Sequence, residues 1–232
     1  MASPSSAIPR ATIDRLAPDF LRVELRPDPG TDPADTAPIA SLAARLGALP
    51  GVLDAHHTRH VLGVRLHPAA PDFAGVEAAV RALLDAPAPP AEHPAPRTIH
   101  LPVRFTPADA PDLEHIASHA SLTPDAVIDL LLAADLRVEF LGFMPGFPYM
   151  SGLPAPLHLP RRSSPRPRVP AGSLALAGSM CGVYPVASPG GWHLVGRTPT
   201  ILFDATRPDP ATLRAGDRVR LFREGSAPCP SA

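Results

Sequence analysis

Phe20 to Leu25 alternates apolar and polar residues, the period of a half-buried strand. Ile39, Leu42, Ala43, Leu46 and Leu49 then recur on one helical face, and Pro50-Gly51 stops that helix. Val52 to Thr58 and His60 to His67 read as two paired strands, and Phe73 to Leu84 returns to helical spacing through Val76, Val80 and Leu83. Strand, helix, two strands, helix predicts a small α+β domain, with two helices packed on an antiparallel sheet, over residues 18–85. Residues 1–17 read as a disordered lead.

The next twelve residues, 86–97, read APAPPAEHPAPR and hold five prolines. Proline removes a donor and fixes φ, so the segment predicts a stiff extended linker between two domains. Beyond it, Thr98 to Phe105 reads as a strand and Asp112 to Ala120 as a short helix. A second helix starts with Thr123 as cap, Pro124 at the first position and Asp125 near the positive helix end, and runs to Ala134. Leu136 to Leu141 is again strand. Short strands and Gly/Pro turns follow at Ser173 to Ala177, Val183 to Val186, His193 to Val195, Thr200 to Phe203 and Arg218 to Phe222. That series predicts a mainly β barrel domain over 98–225, followed by a tail at 226–232.

Charge changes this picture along the chain. Residues 1–139 carry 11 Arg against 18 acids, whereas residues 140–232 carry 10 Arg against 4 acids. Every cation is arginine, for the chain has no lysine. A P-loop lysine, a Schiff-base lysine and a biotin-carrying lysine are therefore excluded, and any nucleotide clamp built on lysine must belong to another chain. No dense basic run marks a nucleic-acid partner. No stretch reaches the roughly 20 apolar residues of a membrane span. Met1 to Pro9 has no long apolar run of a signal peptide, so a cytoplasmic setting is the expectation. Two cysteines, Cys181 and Cys229, cannot form a structural zinc site, and no metal is expected.

Phe140 to Phe203 concentrates the chemistry. These 64 residues contain no carboxylate, yet hold five arginines, seven of the eleven aromatics and nine of the 16 glycines. Positive groups without carboxylates suit an anionic or carbonyl-rich ligand. Arg161, Arg166 and Arg197 are candidates for a carboxylate or phosphate fork, or alternatively for tying loops to backbone carbonyls. Arg162 and Arg168 read as solvated surface. His193 is the one catalytic candidate, as acid or base, against the reading of a strand histidine satisfied locally; His158 is a weaker one. Phe147, Tyr184 and Trp192 are placed with these arginines and His193 in a substrate- or partner-binding cleft. Cys181 reads as a small buried hydrophobe, and Ser173 and Ser188 as turn formers. A carboxylate base, if one is needed, would come from Glu139, Asp204 or a partner.

The segments LGFMPGFPYMSGL, PRRSSPRPRVPAGS, GVYP and SPGGWHLVGRTP, in this order and spacing, resemble the family of the 5-oxoprolinase B-type subunits. That family also takes in the sporulation kinase A inhibitor and the first-subunit domain of allophanate hydrolase, a carboxyltransferase-domain (subdomain C and D) group. The resemblance covers about residues 97–224. It implies a cyclophilin-like barrel and a non-autonomous component of an ATP-dependent 5-oxoprolinase. Its partners would be a homologous barrel chain of the C type and a third, lactam-utilisation chain of the A type. ATP would serve the assembled complex, with none bound by this chain alone. The alternatives it implies are inhibition of a sensor histidine kinase, or a component of an allophanate hydrolase or urea carboxylase. The chain departs from the family pattern at Leu131 and Leu136, where His and Tyr are usual. It departs also at Met180-Cys181, where Gln-Thr is usual, and at Pro18-Asp19, where Gly-Asp is usual.

Overall fold

The computed structural model describes residues 11–25, 37–69, 73–85 and 97–227. Residues 1–10 of the expected lead, 86–96 of the expected linker and 228–232 of the tail lie outside the described residues. The chain divides into two units between Ala95 and Pro96.

In the first unit, β1 (Ala11–Ala17), β2 (Phe20–Leu25), β3 (Val52–His57) and β4 (Val61–Leu66) form an antiparallel sheet in the order β1-β2-β4-β3. The helices α1 (Ala37–Gly47) and α2 (Phe73–Asp85) complete the unit, with α1 packed on β3, β4 and α2. β2 buries Leu21, Val23 and Leu25 and leaves the intervening residues half-covered, as the alternation predicts. These three meet Leu42 and Leu46 of α1, Leu62, Val64 and Leu66 of β4, and Val76 and Val80 of α2. Residues 11–17 are not a lead but an edge strand paired to β2 alone. An edge strand needs only one partner and one covered face, and ATIDRLA accordingly shows no clean alternation.

The second unit is built on a seven-stranded sheet and two helices. β5 (Thr98–Val103) is followed by α3 (Leu113–Ala120), α4 (Pro124–Ala133), β6 (Leu136–Leu141) and β7 (Pro148–Ser151). A two-stranded ribbon pairs β8 (Arg166–Val169) with β11 (Ser188–Gly190), while β9 (Ser173–Ala177), β10 (Met180–Val183), β12 (His193–Arg197) and β13 (Arg218–Arg223) join the large sheet. Its order is β12-β9-β10-β7-β6-β13-β5, with β13 parallel to β5 and the other pairs antiparallel. The two edges then meet. Arg104, just past β5, and Arg197 of β12 exchange backbone hydrogen bonds of 2.8 and 2.9 Å, which brings the sheet to a nearly closed barrel. The expected strand Thr200 to Phe203 is reduced to one bridge, Phe203 to Ala211, and the strand expected at Val183 to Val186 lies earlier, at β10.

The barrel interior joins Leu101, Val103, Val138, Met150, Leu174, Leu176, Val183, Val195 and Leu221 with the inner faces of α3 and α4. Leu131 and Leu136, both fully buried, belong to this core, so the two departures from the family pattern serve packing here. Thr123 caps α4 by accepting the Ala126 N–H at 3.2 Å. α3 lies against β12 and the 3-10 turn Ala155–Leu157, which sets the residue at its start, Asp112, beside Leu194.

Candidate functional site

Asp112 occupies the N-cap position of α3, but its side chain caps nothing. The carboxylate instead reaches across to the arginine-rich loop and β12. Oδ1 accepts from Arg166 at 2.8 Å and Arg162 at 3.0 Å, and Oδ2 accepts the Leu194 N–H at 2.7 Å. The Asp112 N–H donates in return to the Leu194 carbonyl at 3.1 Å. Burial alone would push this carboxyl up. The Arg166 hydrogen bond, the Leu194 N–H and the two nearby guanidinium charges outweigh it and hold the group below its ordinary value of 3.8.

His193, next along β12, is buried, and its Nε2 lies 3.0 Å from the Pro160 carbonyl. A carbonyl can only accept, so Nε2 carries the proton and the neutral ring keeps its lone pair on Nδ1. That Nδ1 is buried and has no hydrogen-bond partner among the described residues. The ring stacks on His115 with centroids 5.1 Å apart and planes 16° from parallel. Burial lowers the imidazole below its ordinary 6.5, against the raising effects of the Pro160 carbonyl and Asp112.

These groups border a cleft of about 350 Å³, lined by His115, His119, Pro160, Arg161, Arg162, Ser163 and His193 together with Leu159. Arg161 is exposed, and its guanidinium lies 6.0 Å from the centre of the Trp192 ring. Arg162 gives one nitrogen to Asp112 and keeps a buried Nε–H without a partner among the described residues. The cleft thus sets two arginines, Arg161 and Arg162, beside the imidazoles of His115, His119 and His193. Among the described residues no group of three or more His, Cys, Asp or Glu could hold a metal.

The sequence-level candidates separate on this geometry. Arg161 and His193 line the cleft. Arg166 sits on the ribbon, spent on Asp112, and Arg197 donates its Nε–H to the Ala171 carbonyl at 2.8 Å beside the barrel seam, so it ties a loop. Arg162, expected as solvated surface, proves to be an ion-pair partner and a lining residue. Phe147, Tyr184 and Trp192, expected as cleft wall, are instead buried at 1%, 2% and 6% exposure. They form an aromatic core in which Phe147 meets Tyr184 and Trp192 edge-on at 5.1 and 5.6 Å. The glycines explain the correction: a Cβ on Gly182 would lie 2.7 Å from the Phe147 ring, so its absence lets the ring in against the strand.

Glu139 is fully buried in β6, and Asp204 accepts from the Thr206 N–H and hydroxyl within its own turn. Cys181 is buried in β10, where burial pushes its thiol up to about 12, so it is an inert core residue. His158 bonds the Leu153 carbonyl at 2.8 Å. Asp112, His115, His119 and Ser163 carried no local signal that pointed to the cleft. The clue to Asp112 was a charged cap position 50 to 82 residues from its partners.

Known proteins resemble this architecture and these loops. Over 136 residues the chain is 46% identical to the B-type subunit of 5-oxoprolinase from Escherichia coli O157:H7, covering 59% of this chain and 62% of that protein. It is 45% identical over 127 residues to the corresponding protein of Bacillus subtilis (strain 168), covering 55% of this chain and 53% of that one. The chain spans less than two thirds of the length of either relative. Among solved structures, TTHA0988 superposes with a TM-score of 0.74 at 36% identity over 91% of this chain and 41% of its own. The Kluyveromyces lactis urea carboxylase shares the fold alone, with a TM-score of 0.74 at 18% identity over 96% of this chain and 22% of its own. The sequence profile of the carboxyltransferase domain, subdomain C and D, matches residues 11–213, and the chain belongs to that family.

Proposed function

We propose that this chain is the B-type subunit of an ATP-dependent 5-oxoprolinase, which opens the lactam of 5-oxo-L-proline to give L-glutamate. The observation that carries the reading is its 46% identity to a protein of that name. The cleft agrees in chemistry, since guanidinium donors left over at Arg161 and Arg162 suit a substrate carboxylate. With no lysine in the chain, the nucleotide clamp belongs to other chains of the assembly. Asp112 is held by two arginines, which leaves it poorly suited to act as a general base. This chain therefore binds and orients in a shared active site, beside a homologous barrel chain and a third, lactam-utilising chain in the cytoplasm. ATP serves the assembly.

The test is reconstitution. The purified chain alone should show no 5-oxoproline-dependent ATP hydrolysis, and activity should appear when its partner chains are added. Turnover by the lone chain would overturn the shared site, and a complete complex inert toward 5-oxoproline would overturn the assignment.

A further inference from the structure

We infer that the aromatic end of the barrel around Phe143 is a protein-docking face, and that its occupant is the homologous barrel chain of the proposed assembly, presenting an apolar recess ringed by carboxylates. This rests on the proposed multi-chain function and names the surface and the chemistry through which that assembly forms.

Among the described residues of the second unit, the exposed large apolar side chains are Phe143, Val186 and Ile201, at 62%, 51% and 59% exposure. Phe143 stands at their centre. Its ring is edge-on to Phe147 and Tyr184, with centroids 5.5 and 6.3 Å away, and Tyr184 leads two residues on to Val186. On the other side, a Cβ on Gly146 would lie 2.7 Å from the Phe203 Cβ and 3.1 Å from the Leu202 carbonyl oxygen. The Phe143 loop therefore rests on the segment that carries Ile201. Half-buried Phe140 and Tyr149 stack at 4.5 Å and extend the aromatic surface toward Trp192, 5.7 Å from Tyr149. Exposed apolar side chains scattered singly are ordinary, whereas a group of them around one loop marks a contact surface.

The loop is built to hold Phe143 outward. The Gly142 N–H donates to the Phe147 carbonyl at 3.1 Å, the Phe147 N–H to the Met144 carbonyl at 3.1 Å, and the Met144 N–H to the Gly142 carbonyl at 2.7 Å. These bonds fix the backbone on both sides of a residue held at φ 65°. A large ring fixed before binding loses little freedom on docking, which is the property of an interface anchor.

Charge selects the occupant. Residues 140–203 contain no carboxylate, and Asp112, which folding brings in from α3, is taken up by Arg162 and Arg166. Arg161 and Arg168 are exposed and have no ion pair among the described residues. Arg161 belongs to the aromatic end: its guanidinium lies 6.0 Å from the centre of the Trp192 ring. Burial pushes the Tyr149 and Tyr184 phenols up, and the Arg161 charge works against it at both. A second copy docking by the same face would set like charges against each other, so the complement is an acidic surface. Aromatic side chains beside arginine, with carboxylates depleted, are the composition of an interface centre. Arg161 also borders the cleft, so a partner seated here adjoins it, as a shared site requires.

Asparagine and aspartate adopt positive φ more readily than phenylalanine and differ from each other in charge. The experiment titrates the purified homologous barrel chain into the wild type, Phe143→Asn and Phe143→Asp by calorimetry. Phe143→Asn should melt at or above the wild type yet bind at least about tenfold more weakly, a combination that a purely structural role for the ring does not give. Phe143→Asp should bind at least about fivefold more weakly again at low salt, and the gap between the two should narrow at about 0.5 M salt.

Undiminished binding by Phe143→Asn, equal binding by the two variants at low salt, self-association of the chain that Phe143→Asn abolishes, or no complex between the wild type and the barrel chain would each overturn the inference. ATP hydrolysis separates it from the proposed function. A complex active on 5-oxoproline that Phe143→Asp joins as tightly as the wild type would keep the function and discard the face. A complex that forms through Phe143 yet is inert toward 5-oxoproline would keep the face and discard the function.

Discussion

Asp112 and Leu194, 82 residues apart, bond to each other twice, once through their backbones at 3.1 Å and once from the Leu194 N–H to Oδ2 at 2.7 Å. This clasp anchors the start of α3 to β12, and the remaining carboxylate oxygen gathers Arg162 and Arg166.

Asp112→Ala should therefore destabilise the barrel by about 3 kcal/mol, the low end for removing one partner of a buried ion pair. The low end applies because the two guanidiniums are 32% and 22% exposed and can recover some hydration. Asp112→Asn keeps an acceptor for the Leu194 N–H and should cost less, about 1.5 kcal/mol. Urea unfolding checks both. Asp112 is held below its ordinary carboxyl value, so its stabilisation is complete above 3.8 and lost as the pH falls further. The gap between wild type and Asp112→Asn should close in acid; a gap independent of pH would mean that the charge contributes nothing.

His193 makes a prediction at milder pH. Its folded value is lowered from 6.5, so the unfolded chain binds the proton more readily than the native one. The stabilisation is complete above about 6.5 and is lost as the pH falls below it. Relative to His193→Gln, the wild type should lose stability between neutral pH and pH about 5, read from urea midpoints of the two proteins. Parallel curves would show that the ring accepts its second proton without cost.

Phe143 concerns assembly. It is 62% exposed and adopts φ 65°, a conformation that side chains larger than Gly or Asn rarely take. It also sets its ring edge-on to Phe147 at 5.5 Å. Strain of this kind persists where function requires the side chain to be presented. Phe143→Ala should change folding stability by less than about 1 kcal/mol. In the proposed assembly it should weaken association with the partner chains by about tenfold or more, as loss of an aromatic anchor does. Light scattering or calorimetry on the mixed chains would decide, and unchanged association would place the docking face elsewhere.

The fold was legible wherever one face of an element is buried and the other wet. β2 with its alternation, and α1 with Ile39, Leu42, Ala43 and Leu46 on one side, carry their own environment in their spacing. β1 lacked that signal because an edge strand satisfies only one neighbour. The cleft was only half legible. Arg161 and His193 stand in the stretch that composition singled out, whereas Asp112 belongs to a helix start whose local pattern reads as an ordinary cap. The carboxylate-free stretch is free of carboxylates in sequence alone, since folding supplies one from α3. Phe147 and Trp192 misled for the converse reason. Pro/Gly turns mark shaped loops, but not whether the aromatic they carry turns outward or, as here, inward onto small residues.

The place of β13 in the barrel has a consequence for the order of events on the ribosome. β5, the first strand of the second unit to be made, has β13, the last, as its ladder neighbour, and β13 also separates β5 from β6. The Arg104–Arg197 seam likewise waits for residue 197. The first unit can complete its sheet as soon as β4 emerges. The barrel cannot, and until residues 218–223 clear the exit tunnel the nascent chain holds β5 and β6 with open edges. Vectorial synthesis thus delays closure of this barrel until β13 has emerged, in the slow regime of non-local pairing.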